Sequence, residues 1–329
     1  MIELALRLSG EHVDLAITEL LSVVNAEGGC AIKTRIDEIV LLRCDDMRSA
    51  KEVLRRCAFV KEAGLLLGII RASRESICSL QKRYRGRIEV VRIRGFGKRL
   101  GRSAGGCTRN EGGRLRVYIV GSLAIATQPI YERSLEREFG PRAPHRRPVY
   151  RPGAMKPHLA RLYVNLSGVR GPASTLLDPF CGVGGFLLEA CMLGVYSIGM
   201  DIDEKAVLGA KANAEFFNCG WLVDVIQGDA SMLPLRSGCI DAISTDPPYG
   251  RQAKVGAESL VDLISKFVAD SLRVIGKGGK VVFAIPIELE KDVESRLVDL
   301  GVAVLSKHLD WVHGSLVRAL YVVKRVDKA

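Results

Sequence analysis

The first 66 residues contain apolar positions with two different spacings. One stretch has the spacing of an amphipathic helix, with apolar residues at Val13, Ala16, Ile17, Leu20, Leu21 and Val24. Shorter apolar runs on either side have the length of strands. The predicted elements are a strand over 1–8, a helix over 11–24, strands over 30–32 and 38–43, a helix over 47–57 and a strand over 59–65. This order is the ferredoxin-like arrangement, so an α+β domain over 1–66 is expected.

The next part of the chain, 67–140, adds basic residues in a pattern typical of a nucleic-acid surface. Over 92–99, Arg and Lys are interleaved with Gly and one Phe, which suits contact with phosphates and stacked bases. The predicted elements are a helix over 71–84, a strand over 88–93 and a hairpin of 115–120 with 122–127. The candidate RNA contacts are Arg92, Arg94, Lys98 and Arg99.

Charge separates the two halves of the chain. Residues 1–150 hold 28 Lys and Arg against 17 Asp and Glu, so the whole net charge of +11 lies there. Such asymmetry favours a polyanion as the partner of the first half. The segment 141–152 is rich in Pro and Arg and is expected to be a stiff basic linker, with Arg146 and Arg147 as further candidate RNA contacts.

The second half, 153–329, alternates strand and helix patterns, which predicts a mostly parallel, seven-stranded sheet of the Rossmann-like class. The overall fold class is therefore α/β with an α+β region before it. The predicted strands are 174–177, 196–200, 222–226, 240–244, 280–285, 302–308 and 316–323. The predicted helices are 159–166, 186–193, 204–217, 259–275 and 288–300.

Acidic residues follow four consecutive strands of this sheet. Asp178, Asp201, Asp229 and Asp246 each stand where a predicted strand ends. The carboxyl ends of parallel strands meet at one edge, where ligands of such sheets bind. A glycine-rich turn over 181–185 follows the first of them and leads into a helix, as in nucleoside-binding sites. Asp201 is then placed to accept from ribose hydroxyls, and Asp229 from an adenine amino group.

The stretch Thr245-Asp-Pro-Pro-Tyr-Gly250 ends the fourth of these strands. Neither proline can donate to a sheet ladder, so a rigid corner is expected. This corner presents the Asp246 carboxylate, the Pro247 carbonyl and the Tyr249 ring. Two acceptors can hold both N–H groups of an exocyclic base amine and direct its lone pair at an electrophile. Tyr249 can stack on the base.

The remaining composition excludes several classes of protein. No apolar run approaches the ~20 residues that cross a bilayer, and acidic Glu3 argues against a signal peptide, so a cytoplasmic protein is expected. The nine cysteines show no zinc spacing, which predicts free thiols and no structural metal. Five Asn and four Gln are few for 329 residues, which hints at a heat-loving source.

The residues of the glycine turn also bear on two other chemistries, dinucleotide binding and nucleophilic catalysis by cysteine. A dinucleotide-binding oxidoreductase would place a third glycine where Leu187 stands, so a nucleoside cofactor without a pyrophosphate is favoured. Cys181 could act as a nucleophile, as in enzymes that methylate carbon. It lies inside the turn, however, and an amine target needs no covalent adduct.

At this point the chain resembles a known family. Asp178-Pro-Phe-Cys-Gly-Val-Gly-Gly185 and Thr245-Asp-Pro-Pro-Tyr-Gly250 are similar to motifs of S-adenosylmethionine-dependent amino-methyltransferases. Arg151-Pro-Gly-Ala-Met-Lys-Pro157, the helix after it and the preceding Arg-Ala-Pro-His-Arg-Arg-Pro linker resemble those of the archaeal tRNA guanine-10 N2-methyltransferases.

This resemblance implies methyl transfer from S-adenosyl-L-methionine to the N2 of a guanine in tRNA, once or twice. It also implies a THUMP RNA-binding domain over 67–140. Asp246, Pro247 and Tyr249 would hold the guanine. The residues that would bind the cofactor are Asp178, Phe180, Cys181, Gly182, Gly184, Asp201, Ile202, Asp229, Ala230 and Asp246.

Other functions stay open at this stage. Asp-Pro-Pro-Tyr motifs also serve adenine N6 methylation of RNA or DNA, and another tRNA guanine is a possible target. A non-catalytic RNA-binding module with a relic cofactor fold is the alternative outside enzymes. The sequence does not determine the oligomeric state.

Overall fold

The computed structural model describes residues 1–84, 87–93, 113–248, 257–313 and 316–326. Its contacts divide the chain into two units, Met1–Ser134 and Leu135–Ala329. The division therefore lies before the basic segment 141–152, which belongs to the second unit instead of linking two domains. Part of the reason is visible at Val149, whose backbone N–H and C=O both bond the Asn213 side chain at 2.9 Å.

The first unit is built on a seven-stranded sheet in the order β2-β3-β1-β4-β7-β6-β5. All neighbouring pairs are antiparallel except β5 and β6, which are parallel. Its elements are β1 (Ile2–Leu8), α1 (Val13–Glu27), β2 (Cys30–Ile36), β3 (Ile39–Cys44), α2 (Met47–Arg56), β4 (Val60–Arg71), α3 (Arg74–Tyr84), β5 (Arg87–Ile93), β6 (Arg114–Val120) and β7 (Leu123–Glu132).

One long strand joins the two expected parts of this unit. β4 has twelve residues and pairs with β1 on one side and β7 on the other. The expected division between 66 and 67 therefore falls inside a strand. Glu19 supports the start of β4, because its buried carboxylate accepts the backbone N–H groups of Ala58 and Phe59 at 2.7 and 2.9 Å.

The second unit holds a sheet in the order β10-β9-β8-β11-β12-β14-β13, in which β14 runs antiparallel to both of its neighbours and the other adjacent pairs are parallel. The predicted seven-stranded, mostly parallel sheet is confirmed. Its elements are α4 (Leu135–Phe139), α5 (Pro157–Leu166), β8 (Thr175–Asp178), α6 (Gly185–Cys191), β9 (Tyr196–Asp201), α7 (Glu204–Phe216), β10 (Val223–Gln227), β11 (Ile240–Ser244), α8 (Ala257–Val274), β12 (Ile275–Pro286), α9 (Glu290–Asp299), β13 (Val302–His313) and β14 (Leu316–Arg325).

Strand order reverses between β8 and β11. From β8 the chain winds outward to β9 and β10, then returns to β11 on the other side of β8. Such a switch point opens a crevice beyond the carboxyl ends of the strands. A buried apolar cluster that includes Phe267, Phe283 and Tyr321 packs β11, β12 and β14 beneath α8. No helix in the described ranges is both long and apolar enough to cross a membrane.

The expectation that the cysteines are free thiols is wrong for part of the set. Cys30 is bonded to Cys44, and Cys191 to Cys219. The sequence separations of 14 and 28 residues hid these pairs, since only folding brings the sulfur atoms together. Cys57, Cys181 and Cys239 are free.

Candidate active site

The glycine turn lies between β8 and α6 and has the open backbone that a ligand needs. Gly182 and Gly184 have φ values of 51° and 84°, in the left-handed region that favours glycine. A Cβ built on Gly182 would meet nothing within 4 Å, so that side of the turn is open. The Gly182 N–H donates to Asp201 Oδ2 at 2.9 Å, which joins the turn to the end of β9.

Asp178 lies beneath this turn and is fully buried. Its Oδ1 accepts from the Thr245 hydroxyl at 2.6 Å and from the Phe180 N–H at 3.3 Å. Its Oδ2 has no hydrogen-bond partner among the residues that the structure describes. Burial raises the pKa of Asp178 to about 8, because a carboxylate is poorly solvated there. Asp178 is thus a buried polar group directly beneath the backbone of the turn.

Asp201 and the residues after it form the second wall. Asp201 Oδ1 accepts the Asp203 N–H at 2.9 Å, so one of its oxygens fixes the backbone after β9 and the other fixes the glycine turn. Asp203 caps α7 by accepting from Lys205 N–H and also accepts from Arg151 at 2.7 Å. Ile202 between them is 70% exposed, so its side chain is accessible to a ligand.

Asp229 and Ala230 follow β10 on the same edge of the sheet. The Asp229 carboxylate is exposed and accepts the Ser231 N–H at 2.8 Å. Ala230 is buried in the apolar cluster beneath α8. The main-chain bond from Gly228 N–H to the Asp201 carbonyl, 3.0 Å long, ties this loop to the end of β9. The loop that carries Asp229 is therefore fixed to the end of the strand that carries Asp201.

The diproline corner begins where β11 ends, as its two prolines predict. The last main-chain sheet contact of this stretch is the Thr245 N–H, which donates to the Val282 carbonyl at 2.9 Å. Asp246 follows, with its side chain 16% exposed, and its Oδ2 accepts from Arg318 at 2.9 Å. Pro247 is buried and Pro248 is exposed. Tyr249 lies outside the described residues.

Cys181 has the environment of a packing residue. It is buried beside Leu187 and Leu188, and burial raises the pKa of its thiol well above the ordinary value. A thiol in such surroundings stays protonated and is a poor nucleophile. Phe180 packs edge-on against Phe267 in the neighbouring cluster, at 5.4 Å between ring centroids. Both side chains therefore shape the turn from below.

The site fits a nucleoside cofactor with cationic groups. The open face of Gly182 leaves room above the turn, and the buried Asp178 Oδ2 is a polar atom for which the described residues supply no hydrogen-bond partner. Acidic groups at the ends of β8, β9, β10 and β11 suit hydroxyl, amino and sulfonium groups. No group of three or more His, Cys, Asp or Glu in the described ranges is arranged to hold a metal ion.

The candidate RNA contacts differ in how exposed they are. Arg92 is exposed on β5, whereas Arg94, Lys98 and Arg99 lie outside the described residues. Arg146 is half-exposed and pairs with Glu136 at 2.8 Å. Arg147 was expected on the RNA surface, and that expectation is wrong. It is 5% exposed because its Nε donates to the Arg142 carbonyl and its guanidinium lies against Gly185.

Comparison with known proteins identifies the family. A family model described as UPF0020, RMKL-like, methyltransferase domain, matches residues 144–319. A tRNA (guanine(10)-N2)-dimethyltransferase of Methanothermobacter thermautotrophicus is 32% identical over 345 aligned positions, which cover 98% of this chain and 100% of the relative. The chain belongs to the tRNA (guanine(10)-N2)-dimethyltransferase family. A second relative with this name, from Methanocaldococcus jannaschii, is 35% identical over 57% of this chain and 51% of its own length.

Solved structures agree on the fold of this tRNA (guanine(10)-N2)-dimethyltransferase family member. TrmN from Thermus thermophilus matches with a TM-score of 0.59 at 22% identity, covering 98% of this chain and 100% of its own. SMU.472, solved in complex with SAH, matches with a TM-score of 0.56 at 14% identity, covering 100% of this chain and 99% of its own. At these identities the likeness shows the fold alone.

Three residues of the site, Thr245, Asp310 and Arg318, were not predicted from the sequence. Thr245 links the corner to Asp178, and Arg318 on β14 pairs with both Asp246 and Asp310. One signal was present, because Arg318 is a charge inside the apolar strand Leu316–Arg325. Its partner Asp246 is 72 residues away, which no periodicity reveals. All three residues fall within the region matched by the methyltransferase model.

Proposed function

We propose that this chain transfers methyl groups from S-adenosyl-L-methionine to the exocyclic N2 of guanine 10 in tRNA, up to two per base. The observation that carries the proposal is the match along nearly the whole chain and the whole of a relative with that activity in its name. The acids at four strand ends and the diproline corner support it, because they supply acceptors suited to the cofactor and to the base.

The cofactor site would use the open glycine turn and the acids around it. Gly182 and Gly184 allow close approach to the backbone, and Asp178 provides a buried polar group beneath them. Asp201 and Asp229 would accept from the ribose and the adenine, with Phe180, Cys181, Ile202 and Ala230 lining the site. When bound, the cofactor supplies a methyl group already activated on a sulfonium.

The base amine would be held at the diproline corner. Asp246 accepts one N–H as a charged acceptor, and the Pro247 carbonyl accepts the other. These bonds draw the nitrogen lone pair out of conjugation with the ring and direct it toward the methyl carbon. In each transfer a nitrogen–carbon bond forms, the sulfur–carbon bond breaks with its electron pair left on sulfur, and the nitrogen loses one proton to Asp246 or water.

A second methylation needs the same corner. After one transfer the nitrogen still carries one N–H, which Asp246 can hold while the methyl group takes the other direction. The guanine must first leave its stack, at a cost of a few kcal/mol, as for other enzymes that act on base atoms. The basic first unit, with Arg92 exposed, would supply phosphate contacts that offset part of this cost.

The test uses two tRNA transcripts that differ by one amino group. One carries guanine at position 10, and the other carries inosine there, which lacks the N2 amine. With labelled methyl donor, we expect N2-methylated and N2,N2-dimethylated guanosine from the first and no product at position 10 from the second, read by nucleoside mass spectrometry. Methyl on adenine N6, or equal labelling of both transcripts, would contradict the proposal.

A further inference from the structure

Arg318 occupies the centre of an ion triad at the diproline corner. Its Nη1 donates to Asp246 Oδ2 at 2.9 Å, and its Nη2 donates to Asp310 Oδ2 at 2.5 Å. Its side chain is 4% exposed, against 16% for Asp246 and 7% for Asp310. The triad is therefore shielded from solvent, with Asp246 as its most accessible member.

The sheet brings the three residues to one edge. β14 runs antiparallel to β12, and its Arg318 pairs in register with Pro286 at the carboxyl end of β12. On the other side, Arg318 pairs in register with Asp310 of β13, and directly opposed residues share a face of the sheet. β11 ends beside the same end of β12, so the side chain of Arg318 reaches Asp246 from the neighbouring strands.

Charge favours a fixed arrangement over a mobile one. One guanidinium stands between two carboxylates, and an arginine fork holds each of them through a separate nitrogen. Buried ion pairs contribute little net stability, because desolvation offsets their attraction. The triad can still fix the direction of each carboxylate, because the guanidinium binds both of them at hydrogen-bond distance.

The backbone around Asp246 is also fixed. Thr245 N–H is bonded to Val282 O on one side, and two prolines restrict the chain on the other. The remaining freedom of Asp246 is rotation of its carboxylate. We propose that Arg318, oriented by Asp310, is a positioning residue that sets the direction in which Asp246 presents its carboxylate to the base amine. This inference rests on the proposed function.

The first measurement compares Arg318→Met, Arg318→Lys and Asp310→Asn with the wild type. We expect Arg318→Met to lower kcat by about 10²-fold, the size of effect that follows from misplacing a reacting group by about 1 Å. The Kd for S-adenosylhomocysteine should stay within about twofold, since the triad lies off the glycine turn. Arg318→Lys keeps a cation and should retain part of the kcat that Arg318→Met loses. Asp310→Asn should lower kcat less than Arg318→Met, because Arg318 stays in place and loses only the charge of the partner that orients it.

Lys307 provides a matched control. It is also one cation between two carboxylates, Glu290 and Glu294, and it lies on β13 of the same hairpin. Lys307→Met should leave kcat unchanged. Arg318→Met leaves two buried carboxylates without their cation and changes the net charge of the three positions from −1 to −2. The double variant Arg318→Met/Asp310→Asn returns that net charge to −1 and keeps the test usable if the single variant unfolds.

The outcome is read on whichever base the wild type methylates, identified beforehand by nucleoside mass spectrometry. Methylation of a base other than guanine 10 would contradict the proposed function, while the comparison of Arg318 variants would still be made on that base. Folded Arg318→Met, or the folded double variant, with wild-type kcat would overturn the positioning role. If Arg318→Met and the control Lys307→Met lower kcat by the same factor, the positioning role is overturned too.

Discussion

The hydroxyl of Thr245 donates to Asp178 Oδ1 over 2.6 Å, and this one bond joins the two motifs of the site. Asp178 lies beneath the glycine turn at the end of β8, and Thr245 is the first residue after β11. The next residue after Thr245 is Asp246, the expected contact with the base amine. The cofactor site and the base site are therefore connected through adjacent residues.

Replacing Thr245 tests this connection. Thr245→Val keeps the shape of the side chain but removes the donor, so a buried Asp178 oxygen loses its shortest bond. We expect a loss of about 1–3 kcal/mol in the free energy of unfolding and weaker binding of S-adenosylhomocysteine. Calorimetric titration and urea unfolding measure the two effects. Thr245→Ser keeps the hydroxyl and should behave like the wild type; equal loss in both variants would assign the effect to packing.

Asp246→Ala tests the role of the corner directly. The substitution removes the charged acceptor for the base amine, and we expect methylation of tRNA to fall below detection while cofactor binding largely persists. Asp241→Ala is the matched control, because Asp241 lies toward the opposite end of the same strand, where it accepts the Thr175 N–H. Full methylation by the Asp246 variant would rule out this residue as the amine acceptor.

Asp178 makes the stability of the cofactor-free protein depend on pH. Its pKa is raised to about 8 in the folded state, against 3.8 as the ordinary value, so the folded protein holds this proton more tightly than the unfolded chain. The stabilisation from this bound proton is fully present below about pH 4 and is lost as pH rises toward 8. Over that range the free energy of unfolding falls by at most about 1.4 kcal/mol per pH unit.

Asp178→Asn isolates this contribution. The amide oxygen can still accept from Thr245, but the group no longer titrates. We expect the wild type to lose stability relative to the variant as pH rises from 5 to 8, measured by denaturant unfolding at each pH. A difference between the two proteins that stays constant over this range would show that Asp178 is ionised when buried.

The Cys191–Cys219 disulfide ties the end of α6 to the loop before β10. It closes a loop of 28 residues, for which the chain-entropy account gives about 3–4 kcal/mol of stabilisation. We expect Cys191→Ser/Cys219→Ser to lower the midpoint of urea unfolding accordingly. Cys239→Ser, which removes an exposed free thiol, is the control. Equal midpoints with and without reductant would contradict a stabilising bridge.

Adjacent arginines in the basic segment should respond in opposite ways. Arg146→Ala removes a half-exposed cation, so we expect weaker tRNA binding with a smaller salt dependence and little change in stability. Arg147→Ala opens space beside Gly185 and should mainly lower stability. Filter binding at several salt concentrations, together with thermal unfolding, separates the two. Equal effects on tRNA affinity would contradict the assignment of Arg147 to the interior.

Element order and sheet type were predictable because they depend on local periodicity. The alternation of strands and helices after residue 174 predicted the seven-stranded, mostly parallel sheet, and Pro247-Pro248 marked the end of β11. The limits of the domains were harder to predict from the sequence, because they depend on which segments pack together. Arg147 looked like part of a basic surface, and only its packing against Gly185 and the Arg142 carbonyl shows that it is interior.

The sequence by itself determined the glycine turn, the acids at four strand ends and the diproline corner, because each depends on the conformational limits of a few neighbouring residues. Tertiary structure alone decided which groups complete them. Thr245 meets Asp178 across 67 positions and Arg318 meets Asp246 across 72, and the sulfur atoms of Cys191 and Cys219 meet across 28. Such pairs depend on strand order and register, which arise when the whole sheet assembles.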